Sequence, residues 1–102
     1  MERKVTWLRI AIQDLQSLYD YIAQDDPRNA REFTDKIVAA SRSLSNSAER
    51  GHLVEEVNRP DHRQIIIDKN YRLIYRVTKN TVQIRRLIRC SRDLRTALKQ
   101  KP

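Results

Sequence analysis

The spacing of apolar residues changes twice along the chain, and each change marks an element. Val5 and Trp7 alternate with Lys4 and Thr6, the period-two pattern of a short strand with one apolar face. From Leu8 the interval lengthens. Leu8, Ala11, Ile12, Leu15, Leu18, Tyr19 and Ile22 recur three and four residues apart, which predicts an amphipathic helix to about Gln24. Asp25-Asp26-Pro27 interrupts it. Asp26 suits an N-cap, because the residue before proline is pushed out of the helical region and its carboxylate accepts from the next free N–H groups. Pro27 suits the first helical position, where its missing N–H has no partner to lose. A second helix follows, with Ala30, Phe33, Ile37, Ala40 or Ser41, and Leu44 on one face, and ends in Ser45-Asn46-Ser47. So short a connection predicts an antiparallel helix hairpin.

The second half of the chain returns to strand periods. Gly51, the only glycine, is expected to supply a turn with positive φ. Leu53 to Val57 reads as a weak edge strand. His62 to Ile67, with Ile65, Ile66 and Ile67 in succession, reads as a strand buried on both faces. After a tight turn at Asp68-Lys69-Asn70, Tyr71, Leu73, Tyr75 and Val77 alternate with Arg72, Ile74 and Arg76 in a well-marked strand. Asn80 sits at the next turn, and Val82 to about Ile88 forms the last strand. From Ser91 a short helix is expected, capped by Ser91, with Asp93 in its first turn and Lys99 and Lys101 at its end. Leu94, Ala97 and Leu98 give it a thin apolar stripe. The order is β-α-α-β-β-β plus a final helix. It predicts an α+β domain over residues 1–102: an N-terminal strand, a helix hairpin packed on an antiparallel sheet, and a short C-terminal helix. One sheet face is covered and the other is left open.

Composition narrows the possibilities. A chain of 102 residues with 39% hydrophobic positions closes one modest core. It has no run of the roughly 20 apolar residues that a membrane span needs. A lone cysteine, Cys90, forms no internal disulfide, which makes a cytoplasmic location the expectation. The net charge of +8 is unevenly distributed: residues 50–102 carry 14 basic and five acidic side chains, whereas residues 8–49 carry five basic and seven acidic ones. Solubility does not require such a division, so it points to an anionic partner, either nucleic acid or an acidic protein segment.

Candidate chemistry is sparse. His52 and His62 lie ten residues apart with no cysteine pair nearby, so neither a metal nor a cofactor is expected. Phosphate-cradling loops need glycines that the chain lacks. The arginines remain. In the strand Tyr71 to Val77 the pleat sends Tyr71, Leu73 and Tyr75 to one side and Arg72 and Arg76 to the other. With the apolar set under the helices, Arg72 and Arg76 are expected on the open face, with Arg63 beside them. Guanidinium forks on a rigid sheet suit phosphate or carboxylate recognition and make poor general bases.

Several strings together resemble the ParE branch of the RelE/ParE toxin superfamily. They are Asp14-Leu15 and Tyr21-Ile22-Ala23, Asp26-Pro27 with Ala30, Tyr71 through Val77, and Ser91-Arg92-Asp93-Leu94. The likeness runs from about Val5 to Arg95. It implies a compact α+β toxin of a type II toxin–antitoxin pair, held inactive by a ParD-like antitoxin whose acidic segment folds on binding. Two activities exist in the superfamily. RelE-type members cut mRNA on the ribosome with basic sheet residues and a C-terminal tyrosine. ParE-type members poison DNA gyrase through a docking surface, without chemistry of their own. By alignment Arg72 and Arg92 match RelE-type basic positions and Arg63 a third, but Ile65 stands where a lysine is expected. No tyrosine follows Arg92. Arg89 stands where many ParE-like chains carry a histidine. The resemblance therefore favours a ParE-like gyrase poison over a RelE-like endoribonuclease. It assigns no catalytic residue and gives a target-binding basic face of Arg63, Arg72, Arg76, Arg89 and Arg92.

Overall fold

A strand at the start of the chain and a four-strand meander form one sheet, with a helix hairpin between them in sequence. The computed structural model describes residues 2–91, as β1 (Lys4–Trp7), α1 (Arg9–Ala23), α2 (Pro27–Ser43), a 3-10 turn at Ala48–Arg50, β2 (His52–Leu53), β3 (His62–Ile67), β4 (Tyr71–Val77) and β5 (Thr81–Arg89). The expected C-terminal helix lies outside the described residues. Asp26 caps α2 as the sequence implies, with its side chain accepting from the Asn29 N–H at 3.1 Å and Pro27 opening the helix.

The sheet order is β1-β5-β4-β3-β2. β2 through β5 pair antiparallel, but β1 runs parallel to β5, with Val5 opposite Val82 and Trp7 opposite Ile84. The sheet is therefore mixed, not antiparallel throughout. A period-two pattern carries no strand direction, so periodicity alone does not show this. α1 leads away from the end of β1 and α2 returns to its start, where the Arg3 N–H donates to Ser45 O at 2.8 Å and the Ser45 hydroxyl donates back to Arg3 O at 2.6 Å.

Both helices pack on one sheet face. There Ala11, Leu18, Ile37 and Leu44 meet Leu73, Tyr75, Val82, Ile84 and Leu87, joined at the margins by Val5, Trp7, Phe33 and Tyr71. Each fully buried Leu or Ile contributes about 1.5–3 kcal/mol. Tyr75 brings a hydroxyl into this core and satisfies it locally, donating to Ala48 O at 2.7 Å and accepting from the Gly51 N–H at 3.0 Å. This contact explains Gly51. Its φ is −76°, so the expected positive-φ turn is absent. Close approach is what requires glycine here, because a Cβ would lie 2.3 Å from the Tyr75 hydroxyl oxygen and 2.7 Å from Gln64 O. The left-handed residues are instead Asn58, Asp68 and Lys69. The last two form the tight β3–β4 turn.

Two further strand expectations change. β2 is only two residues long. β3 is not buried on both faces, since Ile66 is 48% exposed. β2 pairs only with Arg63 and Gln64, so the sheet does not extend past Ile66 on that side.

Candidate target-binding face

Cross-strand register sorts the arginines by face. His62, Arg76 and Gln83 lie opposite one another across β3, β4 and β5, with Thr6 of β1 next in the row. All four belong to the face away from the helices, as does Arg72, which sits opposite Ile66 and Ile88. This face is not left open along its length. The segment between β2 and β3 crosses it, placing Val54 and Val57 on Ile74 and Ile88 in a small second core.

That crossing segment carries acids to the arginines. Arg72 is 8% exposed. Its Nη1 and Nη2 donate to the two carboxylate oxygens of Glu56 at 2.9 and 3.1 Å, and its Nε donates to Gln64 Oε1 at 2.6 Å. The expectation that Arg72 stands on an open face is thus corrected: its fork is already filled from within the chain. An arginine in so covered a place needs an anion, because an uncompensated charge taken out of water is costly. Arg76 is more accessible and donates from Nε to Asp61 at 2.9 Å.

Asp61 organises the end of this face. Its Oδ2 also accepts from Arg59 at 3.3 Å, and its Oδ1 lies 2.8 Å from His62 Nδ1. The bond to His62, then that to Arg76, holds the Asp61 carboxyl down at about 2. Burial pushes the imidazole below its usual range, against the opposing pull of Asp61. The His62 ring is 4% exposed. This pair ties the crossing segment to β3 and, through Arg76, to β4. Among the described residues no group of three His, Cys, Asp or Glu side chains stands ready for a metal.

The other sequence-derived candidates do not join Arg72 and Arg76. Arg63 lies opposite Tyr75, on the helix side, and donates to Gly51 O at 2.8 Å. It braces the turn before β2. Arg89 ends β5 opposite Tyr71, with its guanidinium 5.4 Å from the centre of the Tyr21 ring. The Tyr21 and Tyr71 hydroxyls hold its pKa above the ordinary range. Arg89, Tyr21, Tyr71, Ser17 and Leu87 line a groove of about 360 Å³ between α1 and the end of the sheet. Arg92 lies outside the described residues. The four described arginines are thus divided between two regions: Arg72 and Arg76 on the face away from the helices, Arg63 and Arg89 on the helix side.

Three features escape sequence reading. The first is the acid pair, Glu56 and Asp61, that covers the basic strand residues. The second is Asp14 of α1, which accepts from Arg86 at 2.8 and 3.0 Å and from the Leu87 N–H at 3.0 Å. β1 ends opposite Ile84, so the Asp14 carboxylate takes the place of a strand along the outer edge of β5. The third is an irregular register between β4 and β5: Tyr75 opposes Ile84 whereas Ile74 opposes Arg86, which leaves Arg85 as an extra residue. No strand pattern marks a bulge, although Arg85-Arg86 does break the alternation of β5.

Comparison with known proteins fits this architecture. Residues 5–94 match the family described as the ParE toxin of the type II toxin–antitoxin system, parDE. The chain is similar in structure to a chain of the chromosomal ParDE toxin–antitoxin system from P. aeruginosa, with a TM-score of 0.71 and 26% identity, over 86% of this chain and 96% of that one. It shares its fold with a chain of the RelBE2 toxin–antitoxin complex of Mycobacterium tuberculosis, with a TM-score of 0.61 and 23% identity, over 90% and 95% of the two chains. A chain of the DinJ-YafQ complex of E. coli has the same fold at a TM-score of 0.51 and 12% identity, over 84% and 91%. No curated protein matches the sequence.

Proposed function

Because the chain belongs to the ParE toxin family of type II toxin–antitoxin systems, we propose that it arrests growth as a gyrase poison and is neutralised by a ParD-like antitoxin. The carrying observation is the closure of Arg72. In the RelE-type reading this side chain must meet the scissile phosphate, yet its fork is taken up bidentately by Glu56 beneath the crossing segment. Ile65, where that reading requires a lysine, packs toward the helix-side core. Tyr71 and Tyr75 lie on the helix side as well, and Tyr75 is consumed in bonds to Ala48 and Gly51. Ribonucleolytic attack needs a group to take the 2′-hydroxyl proton, and neither a guanidinium nor the covered His62 supplies one. A poison that stabilises another enzyme's cleaved-DNA complex needs docking surfaces only.

The antitoxin reading draws on the outer side of the helix hairpin. Ile12 is exposed there and, with Leu15, Tyr19 and Val38, lines a shallow apolar groove between α1 and α2. An amphipathic segment that folds on binding finds apolar anchors in such a groove, while its acidic residues are drawn by the basic half of the chain. The role in plasmid or chromosome maintenance follows from the pairing of toxin with antitoxin.

The test uses the purified, antitoxin-free chain with gyrase, ATP and relaxed plasmid. Supercoiling is expected to stop and linear plasmid to accumulate. Unchanged supercoiling at excess protein, together with codon-positioned breaks in mRNA on translating ribosomes, would overturn the proposal in favour of the nuclease.

A further inference from the structure

Among the described residues, Arg85 is a cation that no acid hydrogen-bonds. The irregular pairing that makes it the extra residue of β5 sets it beside Gln83, and its one side-chain hydrogen bond among the described residues, 3.3 Å from Nη1 to Gln83 Oε1, is long. Its Nε is buried and has no partner. The charged groups around it are Arg76, Arg59 and Asp61. The Asp61 carboxylate is already shared by Arg59, Arg76 and His62. Three guanidinium groups thus converge on one acid, and the innermost of them bonds to none. Burial and the repulsion of Arg76 and Arg59 lower its pKa, the mark of a charge held where it lacks compensation. An unsatisfied buried group in a native structure calls for an explanation, and a bound anion is one that suits a guanidinium.

The surroundings select the ligand. Thr6, Thr81, Gln83 and Lys4 occupy this end of β1 and β5 on the same face or its rim, and none offers an apolar anchor. The exposed large apolar side chains, Ile12, Tyr21, Leu53 and Ile66, all lie on α1 or at the β2–β3 edge. A docked protein requires a dry apolar centre, whereas nucleic-acid interfaces are polar, wet and positive. A guanidinium fork also matches the two free oxygens of a phosphodiester.

We propose that Arg85, supported by Arg76 and Arg59 at the bulged end of the open face, binds a backbone phosphodiester of nucleic acid. The contact reads no sequence, since a phosphate carries none. The site is separate from Arg72, whose fork Glu56 fills, and the proposal holds whichever enzyme the toxin acts on.

The experiment is fluorescence anisotropy with the full chain, using a labelled DNA duplex and a single-stranded RNA of the same sequence across a salt series. Gyrase and ribosomes are absent, so the outcome is independent of the supercoiling test. Arg85→Gln is expected to weaken binding about tenfold on at least one of the two nucleic acids, and on duplex DNA to reduce the slope of log affinity against log salt by about 0.9, the value of one phosphate contact. Arg28→Gln, which removes an exposed charge from α2, is the control and should leave the slope unchanged. The arm that responds identifies the source of the phosphate. Should Arg85→Gln melt early, Arg85→Lys decides instead: it keeps the charge and loses the fork, so affinity falls while the slope stays. Wild-type affinity and slope in a folded Arg85→Gln, or wild-type affinity in Arg85→Lys, would overturn the proposal. So would polyglutamate of matched charge displacing the probe as well as unlabelled DNA does, because the site would then be one for carboxylates.

Discussion

The two faces of the sheet are stabilised by different physics. Under the helices, Leu73, Tyr75, Val82, Ile84 and Leu87 are buried against Ala11, Leu18, Ile37 and Leu44, and the few polar atoms present are satisfied inside the chain. On the other face the apolar contribution shrinks to Val54, Ile74 and Ile88, and ion pairs take over: Arg72 with Glu56, Arg76 with Asp61. Dispersion and apolar burial tolerate no gap, but they are indifferent to salt and to partners. Charges on a partly wet face are individually weaker and respond to both. The helix side is therefore held chiefly by apolar burial and the crossing-segment side chiefly by pairs of charges.

The sharpest way to test this division is to damage the buried ion pair that ties α1 to β5. Arg86 and Asp14 are 4% and 13% exposed at their side chains, and the same carboxylate holds the Leu87 N–H. Asp14→Ala takes a bidentate carboxylate from a buried arginine and removes the acceptor of the Leu87 N–H. The expected cost is about 3–5 kcal/mol, read from the midpoint of denaturant unfolding. A loss below about 1 kcal/mol would place this pair with the exposed ones, where such values are usual.

Glu56→Gln makes the complementary cut. Arg72 keeps Gln64 and one amide oxygen, so a loss of only about 1–2 kcal/mol is expected. Its effect should be local. Backbone amides from Val54 to Asp61 are expected to exchange faster with solvent, while those of α1 and α2 keep wild-type protection. Equal acceleration in the helices would mean that the two faces unfold as one unit and that the contrast between them has no energetic content.

How much of this was legible in the sequence follows the same division. The helix side was readable because burial leaves a periodic trace: Leu8 to Ile22 at helical spacing, Tyr71 to Val77 in alternation, Asp26-Pro27 at a cap. The other side was not, because its determinants are pairings between distant residues. Glu56 lies 16 positions from Arg72, and Asp61 lies 15 from Arg76, in a segment whose course no propensity sets. The arginine strand was correctly assigned to one face, but exposure was inferred from polarity, and a polar side chain is also buried when an acid arrives to meet it. Gly51 misled in a similar way. The expectation rested on backbone freedom, whereas the requirement is space for the Tyr75 hydroxyl, which lies 24 residues away in sequence. The strand direction of β1 and the bulge at Arg85 leave no mark in a two-residue period.

The smallest effect separates the faces by pH. His62 is buried on the crossing-segment side, and burial, the larger influence, lowers its pKa, while Asp61 beside it raises it. Arg85 and Arg59, reaching it from β5 and from the crossing segment, oppose its protonation. A folded-state pKa below the ordinary value of 6.5 means that the unfolded chain binds the proton more readily. The imidazole therefore contributes stability that is complete above about pH 6.5 and is lost as the pH falls through its folded value. Asp61 adds a separate step at lower pH. Its carboxyl is held at about 2 against an ordinary 3.8, so its contribution persists above about pH 4 and disappears as the pH approaches 2. Denaturant midpoints measured from pH 8 to pH 5 should fall in the wild type and flatten in His62→Gln, which cannot take up the proton. Asp14→Ala, cut from the other face, should keep the wild-type slope with a lower midpoint. A wild-type midpoint that rises on acidification would show that Asp61 outweighs burial at His62. The acid-sensitive element would then be an ion pair that gains from the proton, and the crossing-segment face would tighten in acid instead of loosening.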